Sequence, residues 1–165
     1  MKKFLFGLML FASLVCVANE SFVGNVVKVS DGDTYQVVNL ETKVKSRVRL
    51  AGVDAPEKNQ SFGRESTNFV NKTLSEFSYI VTVEPIGTDV YGRTIAWVFY
   101  GDDKSGNLNL SETLISNGFA WHFKEYDNSK VLQNLEVQAR LSRVGLWQED
   151  NPTYPSDFRK EKKRR

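Results

Sequence analysis

Charged residues crowd four short stretches of this chain: "DGDT" at 31–34, "RLAGVDAPE" at 49–57, "DVYGR" at 89–93 and "AWHFKEY" at 120–126. The second is the least expected. Val48, Leu50 and Val53 read as a strand, yet Arg49, Asp54 and Glu57 share that run and Pro56 stops it. Carboxylates can accept a proton or hold a hard cation through oxygen. Guanidinium groups offer planar, paired donors that suit anionic oxygens and keep their charge near neutral pH. Taken singly, each stretch has a plain explanation. Asp-Gly is a common turn pair, "YGR" could be a turn with an exposed arginine, and Ala-Pro after Asp54 could merely end a strand. Their concentration in one small domain favours a place where charge is used.

The remaining inventory narrows the chemistry. His122 is the single histidine and Cys16 the single cysteine, so a site of two or three imidazoles cannot be built and structural zinc is not supported. Any metal must be held by oxygen. His122 lies between Trp121 and Phe123 and reads as a packing or surface residue, with no second imidazole to cooperate with it.

The ends of the chain carry separate signals. Lys2 and Lys3 precede an apolar run from Phe4 to Leu14, and small residues allow a cut after Ala18. This layout predicts a secretory signal peptide over residues 1–18 and a secreted or periplasmic product. The run is shorter than the roughly 20 residues of a membrane span, so no span is expected after cleavage. Loss of the signal removes the cysteine and two of the 22 Lys and Arg that face 20 Asp and Glu, which leaves a near-neutral chain. Net charge therefore names no polyanionic partner. The segment 151–165 ends in six bases against Glu161 and reads as a disordered, solvated tail that adds non-specific attraction to phosphate. Residues 19–150 are of ordinary size for one domain.

The elements that must position the charges follow from periodicity. Strands are expected at 22–29, 34–40 and 44–53, joined by Ser30-Asp31-Gly32 and Glu41-Thr42-Lys43 as turns. Residues 62–77 space Phe62, Phe69, Val70, Leu74 and Phe77 as a helix. Two further strands fit 79–84 and 93–100, with "PIGTDVYG" between them. A short helix spans 109–118, capped by Asn109 or Ser111 and closed by Gly118. The last, near 130–143, shows Val131, Leu135, Val137, Ala139 and Leu141. Five strands with helices inserted after the third and appended at the end predict an α+β, mainly β, small barrel. Such barrels often bind oligonucleotides or oligosaccharides on their face.

"DGDT", "RLAGVDAPE" and "YGR", in this order and spacing, resemble the staphylococcal nuclease (thermonuclease) family over residues 22–147, including the closing "GLW". The resemblance implies a five-stranded OB-type barrel with three helices; a monomer is expected. It also implies calcium-dependent hydrolysis of DNA and RNA phosphodiesters that leaves 3′-phosphate ends. By the same resemblance Asp33, Asp54 and the backbone carbonyl of Ala55 hold Ca2+, and Glu57 positions or deprotonates the attacking water. Arg49 and Arg93 hold the phosphate, Tyr91 touches a terminal phosphate, and Tyr126 stacks on a base, with Phe123 as the alternative. Three departures stand out: Ala55 replaces a threonine, Val90 replaces a lysine, and "KNQSFG" is shorter than the corresponding mobile loop.

The chemistry supports these residue types independently. A phosphodiester repels anionic nucleophiles, so its hydrolysis needs cations around the non-bridging oxygens. Two arginines, one hard ion and one carboxylate base form a sufficient set without histidine. A binding-only OB module should lack part of this constellation, and a glycosidase with paired carboxylates would give the arginines nothing to neutralise. Geometry poses one test. Arg49 and Asp54 are five residues apart, so a straight strand would send them to opposite faces. Gly52 is the expected bend that lets Arg49, Asp54 and Glu57 converge.

Overall fold

Strand β1 (Phe22–Asp31) turns through Gly32 and Asp33 into β2 (Thr34–Asn39), which pairs antiparallel with it and then with β3 (Lys45–Leu50). The computed structural model of the protein describes residues 20–102 and 106–164; the expected signal peptide lies outside them. Register shifts in β1, between Val26 and Lys28 and again between Val29 and Asp31, add the local twist that a narrow barrel requires. After the two-residue β4 (Val53–Asp54), helix α1 (Gly63–Ser75) leads into β5 (Ile80–Thr88) and β6 (Thr94–Tyr100).

Closure comes from β6. It lies antiparallel to β5 on one side and parallel to β3 on the other, where Val48, Arg49 and Leu50 face Thr94, Ile95 and Ala96. The order β3-β2-β1-β5-β6 therefore returns on itself, with β7 (Leu108–Asn109) on the far side of β6. This is the expected five-stranded OB-type barrel. Closure also decides function, because it sets Arg49 beside the strand that begins just after Arg93.

Valines and leucines fill the interior. Val37, Val48, Leu50, Val83 and Val98 are almost wholly buried, and α1 covers one end with Val70 and Leu74. Each such side chain contributes about 1.5–3 kcal/mol when removed from water. Tyr35 is also fully buried, and its hydroxyl donates to the Gly32 carbonyl at 2.7 Å, which ties the β1–β2 turn to the core.

Several details differ from the sequence expectation. β5 runs on through Pro85 to Thr88, where a loop was expected. Its pairing with β1 extends from Val83 to Ile80 only, so Pro85 meets β6 alone and its missing N–H interrupts no second ladder. Helix α2 (Leu110–Ser116) takes Asn109 as its cap, the side chain accepting from Ser111 N at 2.9 Å. Helix α3 (Lys130–Leu141) buries Leu132, Glu136 and Ala139, while Val131, Val137 and Leu141 are exposed. Between α2 and α3, β8 (Trp121–His122) pairs with β4.

The largest correction concerns the C-terminus. Residues 155–164 were expected as part of a disordered tail, yet Pro155–Arg164 form helix α4, a fourth α-helix among the described residues. Pro155 is buried and supplies a preset φ at the first turn, where Asp157 faces the positive helix end; Lys162, Lys163 and Arg164 complement the other end. Just before it, Tyr154 packs edge-on against Trp121 with centroids 5.0 Å apart. The Thr153 carbonyl accepts from Gln60 Nε2 at 2.6 Å. The segment is thus held to the barrel before the basic run begins.

Candidate active site

Arg49 sits where β3 ends. Its Nη1 lies 3.1 Å from Asp33 Oδ2 and its Nη2 3.2 Å from Asp54 Oδ1. The side chain is 11% exposed, and Nη1 also donates to the Leu50 carbonyl at 2.9 Å. Opposite parity is overcome as expected: β3 stops at Leu50, the chain turns at Ala51 and Gly52, and a new strand starts at Val53. Gly52 has φ +72°, and a Cβ there would lie 2.6 Å from Leu132 Cδ1 and 2.8 Å from Trp97. Both the backbone conformation and the space demand glycine.

Asp33 and Asp54 are buried. Asp33 Oδ2 accepts from Ala55 N at 2.7 Å and its Oδ1 from Thr34 Oγ1 at 3.1 Å. The β1–β2 turn is thereby tied to the residue after Asp54. Burial, with a contribution from Asp33, raises the Asp54 carboxyl above its usual range against the pull of Arg159 and Arg49. Asp31 is affected more strongly, since burial and the neighbouring Asp33 push it up to about 7. Acids are gathered here at an energetic cost that a cation would relieve.

Glu57 is less enclosed, with its side chain 39% exposed. Its loop is folded tightly: Gln60 Oε1 accepts from Glu57 N at 3.1 Å, and Gln60 N donates back to the Glu57 carbonyl at 2.7 Å. A Cβ on Gly63 would lie 1.9 Å from that carbonyl, so α1 can start this close only with glycine.

Across the cleft, Asp89 fixes Arg93. Asp89 Oδ2 accepts from Arg93 Nε at 2.7 Å, and its Oδ1 accepts from the backbone N–H groups of Tyr91 and Arg93, both at 2.9 Å. Against the opposing effect of slight burial, these bonds hold Asp89 below the usual carboxylate range. Arg93 Nη1 also donates to Thr34 Oγ1 at 3.2 Å, which points the guanidinium toward Asp33.

A cleft of about 850 Å³ brings the expected residues together; Asp33, Arg49, Asp54, Ala55, Glu57 and Arg93 line it, with Tyr91 and Tyr126 at its edges. Both tyrosines are 76% exposed, as rings that meet a ligand would be. Phe123 packs on Tyr126 with centroids 4.7 Å apart and its ring centroid lies 6.0 Å from the Arg49 guanidinium carbon, so both candidate aromatics line the cleft. His122 is buried and its Nε2 lies 2.9 Å from Oδ1 of Asp127, which also lines the cleft.

Among the described residues no three Asp, Glu, His or Cys side chains form a ready-made metal cage. The donors are nonetheless of the right kind. Two buried carboxylates that repel each other, with a backbone carbonyl between Asp54 and Pro56, suit a hard oxygen-seeking cation that retains several waters.

Two contributors were not visible as site residues in the sequence. Asp89 opens "DVYGR", where the resemblance assigns roles to Tyr91 and Arg93 but none to the acid. Arg159, on α4, reaches the centre of the cleft: its Nη2 lies 2.9 Å from Asp54 Oδ2 and its Nη1 2.8 Å from Glu57 Oε1. Only α4 capping signals, such as Pro155 and Asp157, hinted that this stretch was ordered.

Residues 47–149 match the sequence model of the family described as staphylococcal nuclease homologue. The chain is 37% identical over 158 residues to a Haemophilus influenzae protein named an uncharacterized endonuclease, covering 94% of this chain and 83% of that protein. An Escherichia coli protein of the same name is 35% identical over 139 residues, 84% of this chain and 86% of the other. A probable staphylococcal-like nuclease of Oryza sativa subsp. japonica is 36% identical over 119 residues, 72% of this chain but 30% of that longer protein.

Proposed function

Since the chain belongs to the staphylococcal nuclease family, we propose that it is an exported, calcium-dependent nuclease that hydrolyses DNA and RNA phosphodiesters with little sequence specificity. One observation carries this reading: Arg49 and Arg93 stand in the same cleft as Asp33, Asp54 and Glu57. Residues 1–18 direct export, the mature protein acts as a monomer, and the products end in 3′-phosphate.

Asp33, Asp54 and the Ala55 carbonyl would hold the cation, which when bound supplies Lewis-acid polarisation of a phosphate oxygen. The chain's own residues supply the rest. Arg49 and Arg93 take the non-bridging oxygens as paired donors and neutralise charge that grows in the transition state. Glu57 accepts a proton from a water whose oxygen forms the new bond to phosphorus. The bond from phosphorus to the 5′-oxygen breaks, and that oxygen leaves with the electron pair. Tyr91 contacts a terminal phosphate and Tyr126 stacks on a base, a contact tolerant of sequence. Asp89 and Thr34 keep Arg93 aimed during the reaction.

Digestion of single-stranded and plasmid DNA, and of RNA, in calcium, magnesium and chelator tests this reading. Cleavage in calcium that chelator abolishes, with 3′-phosphate on the fragments, is the expected result. DNA retarded on a gel but uncut in either metal would replace the enzyme with a binding module. Intact mass of the protein recovered from an expressing culture locates the cut after Ala18.

A further inference from the structure

Arg159 makes contacts that the proposed chemistry does not use. Its guanidinium spans both oxygens of Asp54, Nη1 at 3.2 Å from Oδ1 and Nη2 at 2.9 Å from Oδ2, while Nη1 also reaches Glu57 at 2.8 Å. Asp54 is 2% exposed, and the hydrogen-bond donors on its carboxylate are Arg49 and Arg159. Arg49 approaches Oδ1 from the barrel side and leaves Oδ2 to Arg159. A residue 105 positions away thus fills the face of Asp54 that opens into the cleft.

The contact is built rather than casual. Before α4, Tyr154 is packed on Trp121, and Gln60 ties Thr153 to the backbone of the Glu57 loop. Ser61 hydrogen-bonds Glu149 alongside. In the first turn of α4, Phe158 N donates to the Tyr154 carbonyl at 3.1 Å, and its side chain lines a small cavity together with Pro56 and Trp121. The start of the helix is therefore held through Gln60 and Trp121, and Arg159 follows directly from Phe158.

We propose that Arg159 is a resident cation of the cleft: it holds Asp54 and Glu57 until a divalent ion loads, must then leave them, and so lets α4 set the affinity for that ion. This rests on Asp54 as a cation-binding residue. A guanidinium and a divalent ion cannot occupy the same carboxylate lone pairs, and each weakens the other by the same factor. Release would cost the helix its Arg159 contacts at the cleft while Tyr154 and Thr153 remain attached. Freed Arg159 would stay tethered beside the phosphate site, on a helix that carries Lys160, Lys162, Lys163 and Arg164. The C-terminal strap is on this account an intramolecular competitor of the metal.

Calcium titration by calorimetry, on the full protein without nucleic acid, tests this against Arg159→Gln, Arg159→Lys and Asp54→Asn. Arg159→Gln is expected to bind calcium roughly 5- to 150-fold more tightly than the unaltered protein. Arg159→Lys should fall between, since an ammonium cannot span two oxygens as the guanidinium fork does. In the unaltered protein, saturating calcium should speed hydrogen exchange in residues 156–164 and leave β1–β3 unchanged. If Asp54→Asn abolishes binding but Arg159→Gln binds calcium equally or more weakly, competition is wrong and Arg159 only positions the carboxylates. If Asp54→Asn binds calcium as the unaltered protein does, Asp54 is no cation ligand and the proposal falls with that assignment. Unchanged exchange of 156–164 at saturation overturns the release of the helix even where the affinities shift.

Discussion

Two regions build the cleft by different physics. On the barrel side, Asp33, Arg49 and Arg93 hang from strand ends that the closed sheet holds in register, and Asp54 from β4, which pairs with β8. Arg49 is almost enclosed, between Asp33 of the β1–β2 turn and Asp54 of β4. On the other side, Glu57 and Arg159 stand on a loop and a terminal helix, each about two-fifths exposed, and the helix buries Pro155 alone among its residues. Function is fused to stability on the first side and separable from it on the second.

The largest effects should expose this difference directly. Arg49→Ala is expected to slow DNA cleavage about 10²–10³-fold, as loss of a transition-state donor does. Measured by urea unfolding in chelator, it should also destabilise the protein, near the low end of the roughly 3–5 kcal/mol typical of orphaned buried charges, because Arg159 still faces Asp54. Glu57→Gln should lower the rate about 10²–10⁴-fold with the unfolding midpoint nearly unchanged. Equal destabilisation by both variants would erase the proposed division.

Gly52→Ala comes next. The methyl group must displace Leu132 or Trp97, and the residue must keep φ +72°. Together these should cost about 1–3 kcal/mol. The rate should fall as well, because the same turn brings Asp54 to Arg49. A stable variant with a normal rate would show that the convergence tolerates another backbone path.

Asp89→Ala should act more gently, lowering the rate about tenfold through Arg93, which keeps its bond to Thr34. The pair also has a pH signature. Asp89 is more acidic folded than unfolded, so its contribution is complete above the unfolded value of 3.8 and is lost as pH falls through the lower folded value. Acid unfolding curves of the protein and Asp89→Asn should therefore converge below that range and separate above it.

The sequence made the barrel side legible because its signals are local. Strand periodicity, Asp-Gly turns and Gly52 each act within a few residues, and the three motifs mark the strand ends that closure brings together. Where one face of an element is polar inside, that legibility fails. Of the residues from which α3 is read, Ala139 is buried and Leu135 packs on the core. Val131, Val137 and Leu141 are exposed, however, and the inward face also carries Glu136, paired with Lys124 and Arg140. Arg140 in turn covers Trp147 at 3.9 Å, so a charged network fills space that periodicity assigns to apolar side chains. α4 failed for a related reason. Its composition is that of a solvated basic tail, and its order comes from contacts with residues 54, 57, 60 and 121, which no local pattern encodes.

The smallest expected effect gives the sharpest test of the two-region view. Tyr154→Ala removes an edge-on contact with Trp121, and such a pair contributes about 0.5–1.5 kcal/mol beyond its buried area. Were the strap part of the barrel's cooperative unit, that loss would lower global stability and speed exchange in β1–β3 and in α4 alike. Should the strap instead open by itself, the variant would alter the urea midpoint little and accelerate exchange of residues 156–164 alone. Local opening is the expected outcome, because α4 rests on a few side chains at the rim while the barrel strands share one buried core. Spread of the faster exchange into β4 and β8 would mean that Trp121 transmits the loss, and the boundary would then run through that pair of short strands instead of at Thr153.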